Sequence, residues 1–280
     1  MKKDQFLTRR GALLAGAAAV GAAAGAAGLF ASGTGGTAPR SPAGPAAGAP
    51  RGAPLKPSAY RLRPMTGFGP PQTAPEHLTV RHEPLLRMTG RGRTMVLTFD
   101  DGPDRRYTPG ILDTLAEYDV RAMFFVCGEM VGDNADLLAR MADEGHVVGN
   151  HTWSHPLLTR LGRRQIRSQM ERTSDIIEST YGERPAWFRA PYGAWNRAAF
   201  QLGAELGMEP LAWTVDTLDW TTPGTRTIVD RVADGAAPGV VVLSHDAGGD
   251  RSQSVRALRR YLPQLLDSGY HIDVPRRVPA

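Results

Sequence analysis

The 280 residues carry 33 Lys and Arg against 28 Asp and Glu, with 41% hydrophobic side chains and a single cysteine. The net charge of +5 is unevenly placed: residues 1–91 carry +9 and residues 92–280 carry −4. The basic excess therefore belongs to the N-terminal third, which removes the main sequence argument for a nucleic-acid partner, and the lone Cys127 excludes an intramolecular disulfide.

Residues 1–32 open with basic residues and the adjacent Arg9 and Arg10, continue through an uncharged Ala/Gly-rich stretch and end on small residues. This pattern is expected to be a twin-arginine-type export signal, with an uncleaved membrane anchor as the alternative. Residues 33–58 are Pro, Gly and Ala with almost nothing to bury, so they are expected to form a disordered tether, basic enough to rest on an anionic cell envelope. Residues 59–92 remain proline-rich, with Leu85–Met88 as their one good apolar cluster, and are expected to be a loosely structured lead-in. A secreted or envelope-associated protein follows from these expectations, and a monomer is expected.

From residue 93 to 280, short apolar, β-branched or aromatic runs alternate with segments of helical period. Strands are expected at 94–99, 122–126, 146–150, 186–190, 210–215, 240–244 and 270–274. Between them, Ile111, Leu112 and Leu115 follow a Thr108-Pro109 helix start; Leu137, Leu138 and Met141 precede Gly145; Ile166, Met170, Thr173 and Ile177 precede Gly182. Later helical stretches run over 200–206, 228–232 and 255–266. The alternation predicts the α/β class and a parallel sheet clothed by helices. Seven strands in under 190 residues is short for a complete eightfold barrel, so the expected fold is a distorted (β/α) barrel with about seven parallel strands. An open doubly wound sheet is the alternative, but Asp100-Asp101-Gly102-Pro103-Asp104 stands where its phosphate-binding glycines belong.

The chemistry-bearing residues fall at strand ends: Asp100 and Asp101 after the first, His151 after the third, Arg189 at the fourth, Asp216 after the fifth and His245 after the sixth. In a parallel barrel these ends converge on one face. Two adjacent carboxylates repel, so a positive group is expected beside them. His151 and His155, four apart, place both rings on one side if they lie on a helical turn, and one carboxylate of the pair would complete a His-His-Asp set for a divalent ion. The other carboxylate is then free to take a proton from water as general base. Arg189 would keep that base ionised, and the Arg189-Ala190-Pro191-Tyr192-Gly193 turn could offer backbone N–H groups to an oxyanion. His245 is a candidate general acid with Asp216 holding its ring, the plainer reading being that Asp216 or Asp219 caps the next helix. Trp220 and Leu243 offer apolar surface for a small acyl group. Cys127, inside an apolar run, reads as a buried hydrophobe.

The motifs TFDDGP, HTWSHP, RAPYG, DTLDW and LSH, in that order over about 150 residues, resemble those of the polysaccharide deacetylases, the NodB-homology or carbohydrate esterase family 4 group. The resemblance spans about Thr94 to Val274 and departs from the family's pattern only at Ala190, where a larger residue is common. It implies Asp100 as base; Asp101, His151 and His155 as ligands of one zinc, or of cobalt or another divalent ion; and Arg189 as the orienter of the base. It further implies the Tyr192 amide as oxyanion donor, Trp220 and Leu243 as an acetyl pocket, and His245 as the acid tuned by Asp216. The implied activity is hydrolysis of N-acetyl groups on a glycan containing GlcNAc or MurNAc. An O-acetyl esterase using the same site and a non-catalytic carbohydrate-binding wall protein are the alternatives.

Overall fold

The computed structural model describes residues 79–88 and 92–275. The expected export signal and tether lie outside the described residues, as does the first part of the lead-in. Among the described residues there are eight strands: β1 Thr94–Asp100, β2 Met123–Val126, β3 Val147–Asn150, β4 Trp187–Phe188, β5 Glu209–Pro210, β6 Val215–Asp216, β7 Val241–His245 and β8 His271–Ile272. Every strand pairing is parallel, in the order β5-β4-β3-β2-β1-β7-β6, with β8 on the first residues of β1. Seven helices alternate with them: α1 Thr108–Glu117, α2 Gly128–Gly132, α3 Ala135–Asp143, α4 Arg163–Tyr181, α5 Arg197–Glu205, α6 Thr225–Gly235 and α7 Ser252–Asp267. This is the expected distorted, incomplete (β/α) barrel. The short α2 has no counterpart in the sequence reading.

One expected strand divides in two. Residues 210–215 do not form a single strand: β5 pairs with β4 at one edge of the sheet and β6 pairs with β7 at the other. The reason is local, because the Leu211 and Ala212 carbonyls accept hydrogen bonds from the Arg189 guanidinium at 3.0 and 2.9 Å rather than from a neighbouring strand. The segment Leu85–Met88 lies against this crossing. Leu85 N donates to Pro210 O at 2.9 Å, Ala212 N donates to Leu85 O at 2.8 Å, and Met88 N donates to Gly239 O at 2.9 Å. Thr214 Oγ1 donates to Leu86 O at 2.8 Å, and Arg81 pairs with Glu209.

Side-chain alternation along β1 divides the core. Met95, Leu97 and Phe99 face the helices and pack with Ile111, Leu112 and Leu115 of α1 and Leu258, Tyr261 and Leu262 of α7. Val96 points the other way, into the barrel interior with Met123, Phe125, Trp187, Leu211 and Val241. By the same period of two, Thr98 and Asp100 stand above Val96 on the interior face. Each fully buried aliphatic side chain on either face contributes about 1.5–3 kcal/mol to stability, so the strand that ends in the acidic pair is anchored on both sides.

Candidate active site

At the end of β1 the chain makes a tight turn. Asp101 has φ +78°, the Gly102-Pro103 peptide is cis, and Asp101 N donates to Phe125 O at 3.2 Å. A Cβ on Gly102 would overlap the Asp246 carboxylate, so only glycine fits there. At the end of β3, the buried Asn150 organises the second turn: its Oδ1 accepts from Thr152 N at 2.8 Å, and its Nδ2 donates to Met170 O at 2.8 Å and Ser174 Oγ at 3.0 Å. Gln169 Oε1 then accepts from Trp153 N and Ser154 N at 2.8 and 2.9 Å. The segment 151–157 is not helical, which corrects the helical-turn expectation. Instead Thr152 and His155 adopt left-handed conformations, φ +71° and +54°, and the two imidazoles meet with ring centroids 4.9 Å apart. Such conformations cost roughly 1–3 kcal/mol each and concentrate at functional sites; Asp101 and Tyr192, φ +61°, share them.

Asp101, His151 and His155 offer ligand atoms that all lie within 4.8 Å of one another. Asp101 Oδ1 is 3.3 Å from His155 Nε2 and 3.5 Å from His151 Nε2. It is buried without a hydrogen-bond partner among the described residues. Donor atoms about 2.0–2.1 Å from one tetrahedral ion stand roughly 3.3 Å apart, so the three residues fit a divalent cation. His151 Nδ1 donates to the Arg189 carbonyl at 2.8 Å, which fixes the tautomer that leaves Nε2 free to ligate. Burial, opposed by the nearby Asp101 charge, pushes the His151 pKa down to about 3, so the ring is neutral at neutral pH.

Asp100, also buried, sits beside this set with Oδ2 3.7 Å from His151 Nε2. Arg189 is 0% exposed and reaches four acceptors: Asp100 Oδ1 at 2.7 Å, Thr98 Oγ1 at 2.8 Å, and the Leu211 and Ala212 carbonyls. Its guanidinium lies over the Phe125 ring at 4.1 Å. Burial raises the Asp100 carboxyl above the ordinary carboxylate range, while the charges of Arg189 and His245 oppose it.

Across the site, the β1–β7 register sets His245 opposite Asp100. Asp216 does not hold its ring, contrary to the sequence reading. Asp216 Oδ1 accepts from Leu218 N at 2.8 Å and closes its own turn. The partner is Asp219: Oδ1 accepts from His245 Nδ1 at 2.7 Å, and Oδ2 accepts from His245 N at 2.9 Å and Ser254 Oγ at 2.6 Å. The αL conformation of Leu218, φ +50°, swings Asp219 inward. Burial works against charging His245, but Asp219 first, then the Asp101 and Asp100 charges, push its pKa up to about 9. Burial likewise works to raise Asp219, and its bonds from His245 and Ser254 outweigh that and hold it low.

Leu243, buried two residues before His245, shares the His245 face of β7. Trp220 is partly exposed next to Asp219. Tyr192 is 67% exposed, with its ring edge-on to His155 at 4.5 Å. Cys127 is buried, and burial raises its thiol well above its ordinary range. Sequence reasoning passed over three contributors besides Asp219. Asn150 and Gln169 shape the histidine turn, and Asp246, adjacent to His245, binds the acidic turn. Burial and the Asp101 and Asp100 charges push Asp246 up to about 7, against its hydrogen bonds from Thr108 and Gly102. For Asp219 a signal existed, since two acids three apart in DTLDW offered two choices; for the others, single polar residues carried none.

Comparison with known proteins gives the family. Residues 87–211 match the family model described as polysaccharide deacetylase. A peptidoglycan-N-acetylglucosamine deacetylase of Bacillus cereus is 39% identical over 62% of this chain and 64% of its own length, so this chain spans just under two thirds of that relative. A chitooligosaccharide deacetylase of Rhizobium leguminosarum is 39% identical over 64% of this chain and 89% of its own. Among solved structures, a peptidoglycan N-acetylglucosamine deacetylase bound to 4-naphthalen-1-yl-N-oxidanyl-benzamide superposes with a TM-score of 0.65 at 37% identity, covering 67% of this chain and 88% of that one. The chain belongs to the polysaccharide deacetylase family of hydrolases.

Proposed function

We propose that this chain is an exported, metal-dependent enzyme that hydrolyses N-acetyl groups of GlcNAc- or MurNAc-containing glycans, releasing acetate and leaving an amine. One observation carries the reading: Asp101 Oδ1 is buried, unpartnered and aimed at two imidazole nitrogens 3.3 and 3.5 Å away, next to the buried Asp100, which stands opposite a histidine whose pKa is raised. Asp101, His151 and His155 would hold the ion, zinc or cobalt, and a bound divalent ion supplies Lewis acidity for water and the acyl oxygen. Asp100, oriented by Arg189, takes the proton from the attacking water. The Tyr192 amide, with Trp220 and Leu243 around the acetyl methyl, supports the tetrahedral oxyanion. His245, protonated at neutral pH and held by Asp219, delivers its proton to the departing nitrogen as the C–N bond breaks. The relatives named for peptidoglycan and for chitooligosaccharides support both polymers as substrates. Residues 1–32 and 33–58, as export signal and basic tether, would hold a monomeric catalytic domain, residues 93–280, at the envelope.

The test is acetate release from N-acetyl chitooligosaccharides, peptidoglycan and acetylxylan after metal analysis of the isolated protein. Release from either N-acetylated glycan is expected. Activity on acetylxylan alone would convert the reading to an O-acetyl esterase, and glycan binding without release, with zinc or cobalt supplied, would convert it to a wall-binding protein.

A further inference from the structure

The turn that carries both acidic residues is held from one point outside it. Asp246 is buried, and its backbone N donates to Asp100 O at 3.1 Å. Its Oδ1 accepts from Gly102 N at 3.0 Å, and its Oδ2 accepts from Thr108 Oγ1 at 2.6 Å. The Thr108 oxygen in turn accepts from Asp104 N at 2.8 Å. One residue thus reaches the turn at 100 and 102 directly and at 104 through a single hydroxyl. Thr108 is fully buried and opens α1, so the hydroxyl has no water to exchange with, and a Cβ at Gly102 would displace the carboxylate. The hydrogen bonds of Asp246 go to Asp100 O, Gly102 N and Thr108 Oγ1, so it acts through the turn and not on the reacting atoms.

We propose that Asp246, with Thr108 as its relay, is a positioning residue that fixes Asp100 and Asp101 at their separate posts, one beside Arg189 and one beside the paired imidazoles. The inference rests on the deacetylase reading for its link to rate, but its link to ion binding does not. Outer partners of a metal ligand typically change affinity or activity by 10–100-fold when removed, and here the removal acts through one more bond.

Asp246→Asn keeps shape and the Gly102 acceptor but turns an amide toward the Thr108 hydroxyl, which then loses its own acceptor. Thr108→Val deletes the relay at equal volume, and Thr108→Ser keeps it. In the full chain, Zn²⁺ affinity by chelator competition, the Co²⁺ absorption spectrum, kcat and KM on N-acetyl chitooligosaccharides, and the thermal midpoint are to be measured together. Asp246→Asn and Thr108→Val should each weaken Zn²⁺ binding and lower kcat by on the order of tenfold or more, with an altered Co²⁺ spectrum and KM little changed, while Thr108→Ser retains the parent values. Parent affinity, spectrum and kcat in both variants would overturn the proposal, as would losses that merely track the unfolded fraction. If the parent protein releases no acetate yet both variants bind Zn²⁺ more weakly, the deacetylase reading fails and the positioning role stands. A parent protein that binds no Zn²⁺ or Co²⁺ overturns both.

Discussion

Asp219 and His245 show how one hydrogen bond sets a residue's working range. The ring bonded through Nδ1 to a buried carboxylate titrates at about 9, against about 6.5 for an unperturbed histidine. Asp219→Asn removes the charge that raises it, so the alkaline limb of the kcat–pH profile should move down by at least one pH unit, with kcat reduced; a limb that stays in place would remove Asp219 from the acid's support. The same shift has a stability consequence. Because the folded pKa exceeds the unfolded one, charging His245 stabilises the fold fully below about pH 6.5, and the contribution disappears as pH rises through about 9. His245→Gln should therefore lower the thermal midpoint at pH 6 and cost little at pH 10, as a melting series over pH would show, while losing roughly 10²–10⁴ in kcat with metal retained. His151→Ala and His155→Ala should instead lose metal and turnover together, measured by elemental analysis; full metal content in either would remove it from the ligand set. At this scale the sequence was partly legible. The paired aspartates, His151, His155, Arg189 and His245 were singled out by type and spacing, whereas the choice between Asp216 and Asp219 depended on a left-handed residue at 218 that no spacing rule contains.

Elements act here mainly through their ends. β3 delivers His151 because Gly149 lets the strand lie under Phe125: a Cβ at Gly149 would stand 2.6 Å from that ring and 3.3 Å from Trp187 O. Gly149→Ala should destabilise by about 1–3 kcal/mol, the usual result of overpacking a filled core, and the urea midpoint would report it; an unchanged midpoint would mean that β3 has slack the packing does not suggest. The runs ending at Asp100, His151 and His245 were legible as strands, because apolar and β-branched residues packed on both faces leave a dense signature. The helices α1, α3 and α4 were legible from their apolar stripes. The two-residue strands β5 and β6 were not, since their boundary is set by the Arg189 guanidinium, just beyond β4, which claims two carbonyls in between.

Across the whole molecule, Arg189 joins what the sheet leaves open. It ties β1 through Thr98 and Asp100 to the crossing at Leu211 and Ala212, and Leu85 pairs with that crossing from the N-terminal side. Arg189→Ala should cost about 3–5 kcal/mol, the usual penalty for leaving one member of a buried ion pair alone, together with most of the turnover. Denaturant unfolding and kcat on the same preparation would check this; a stable variant with full activity would show that Asp100 is oriented by other means.

The amino-acid order by itself determined the alternation of elements, the parallel class and most of the side chains gathered at the candidate site, because periodicity and residue type are local properties. Which acid serves His245, how a non-helical segment brings His151 and His155 together, and how Asp246 and Thr108 hold the acidic turn were decided only in three dimensions. Those contacts join residues as far apart as Asp100 and Asp246, and their partners are selected by burial, which leaves each buried polar group the acceptors that the finished fold places within reach.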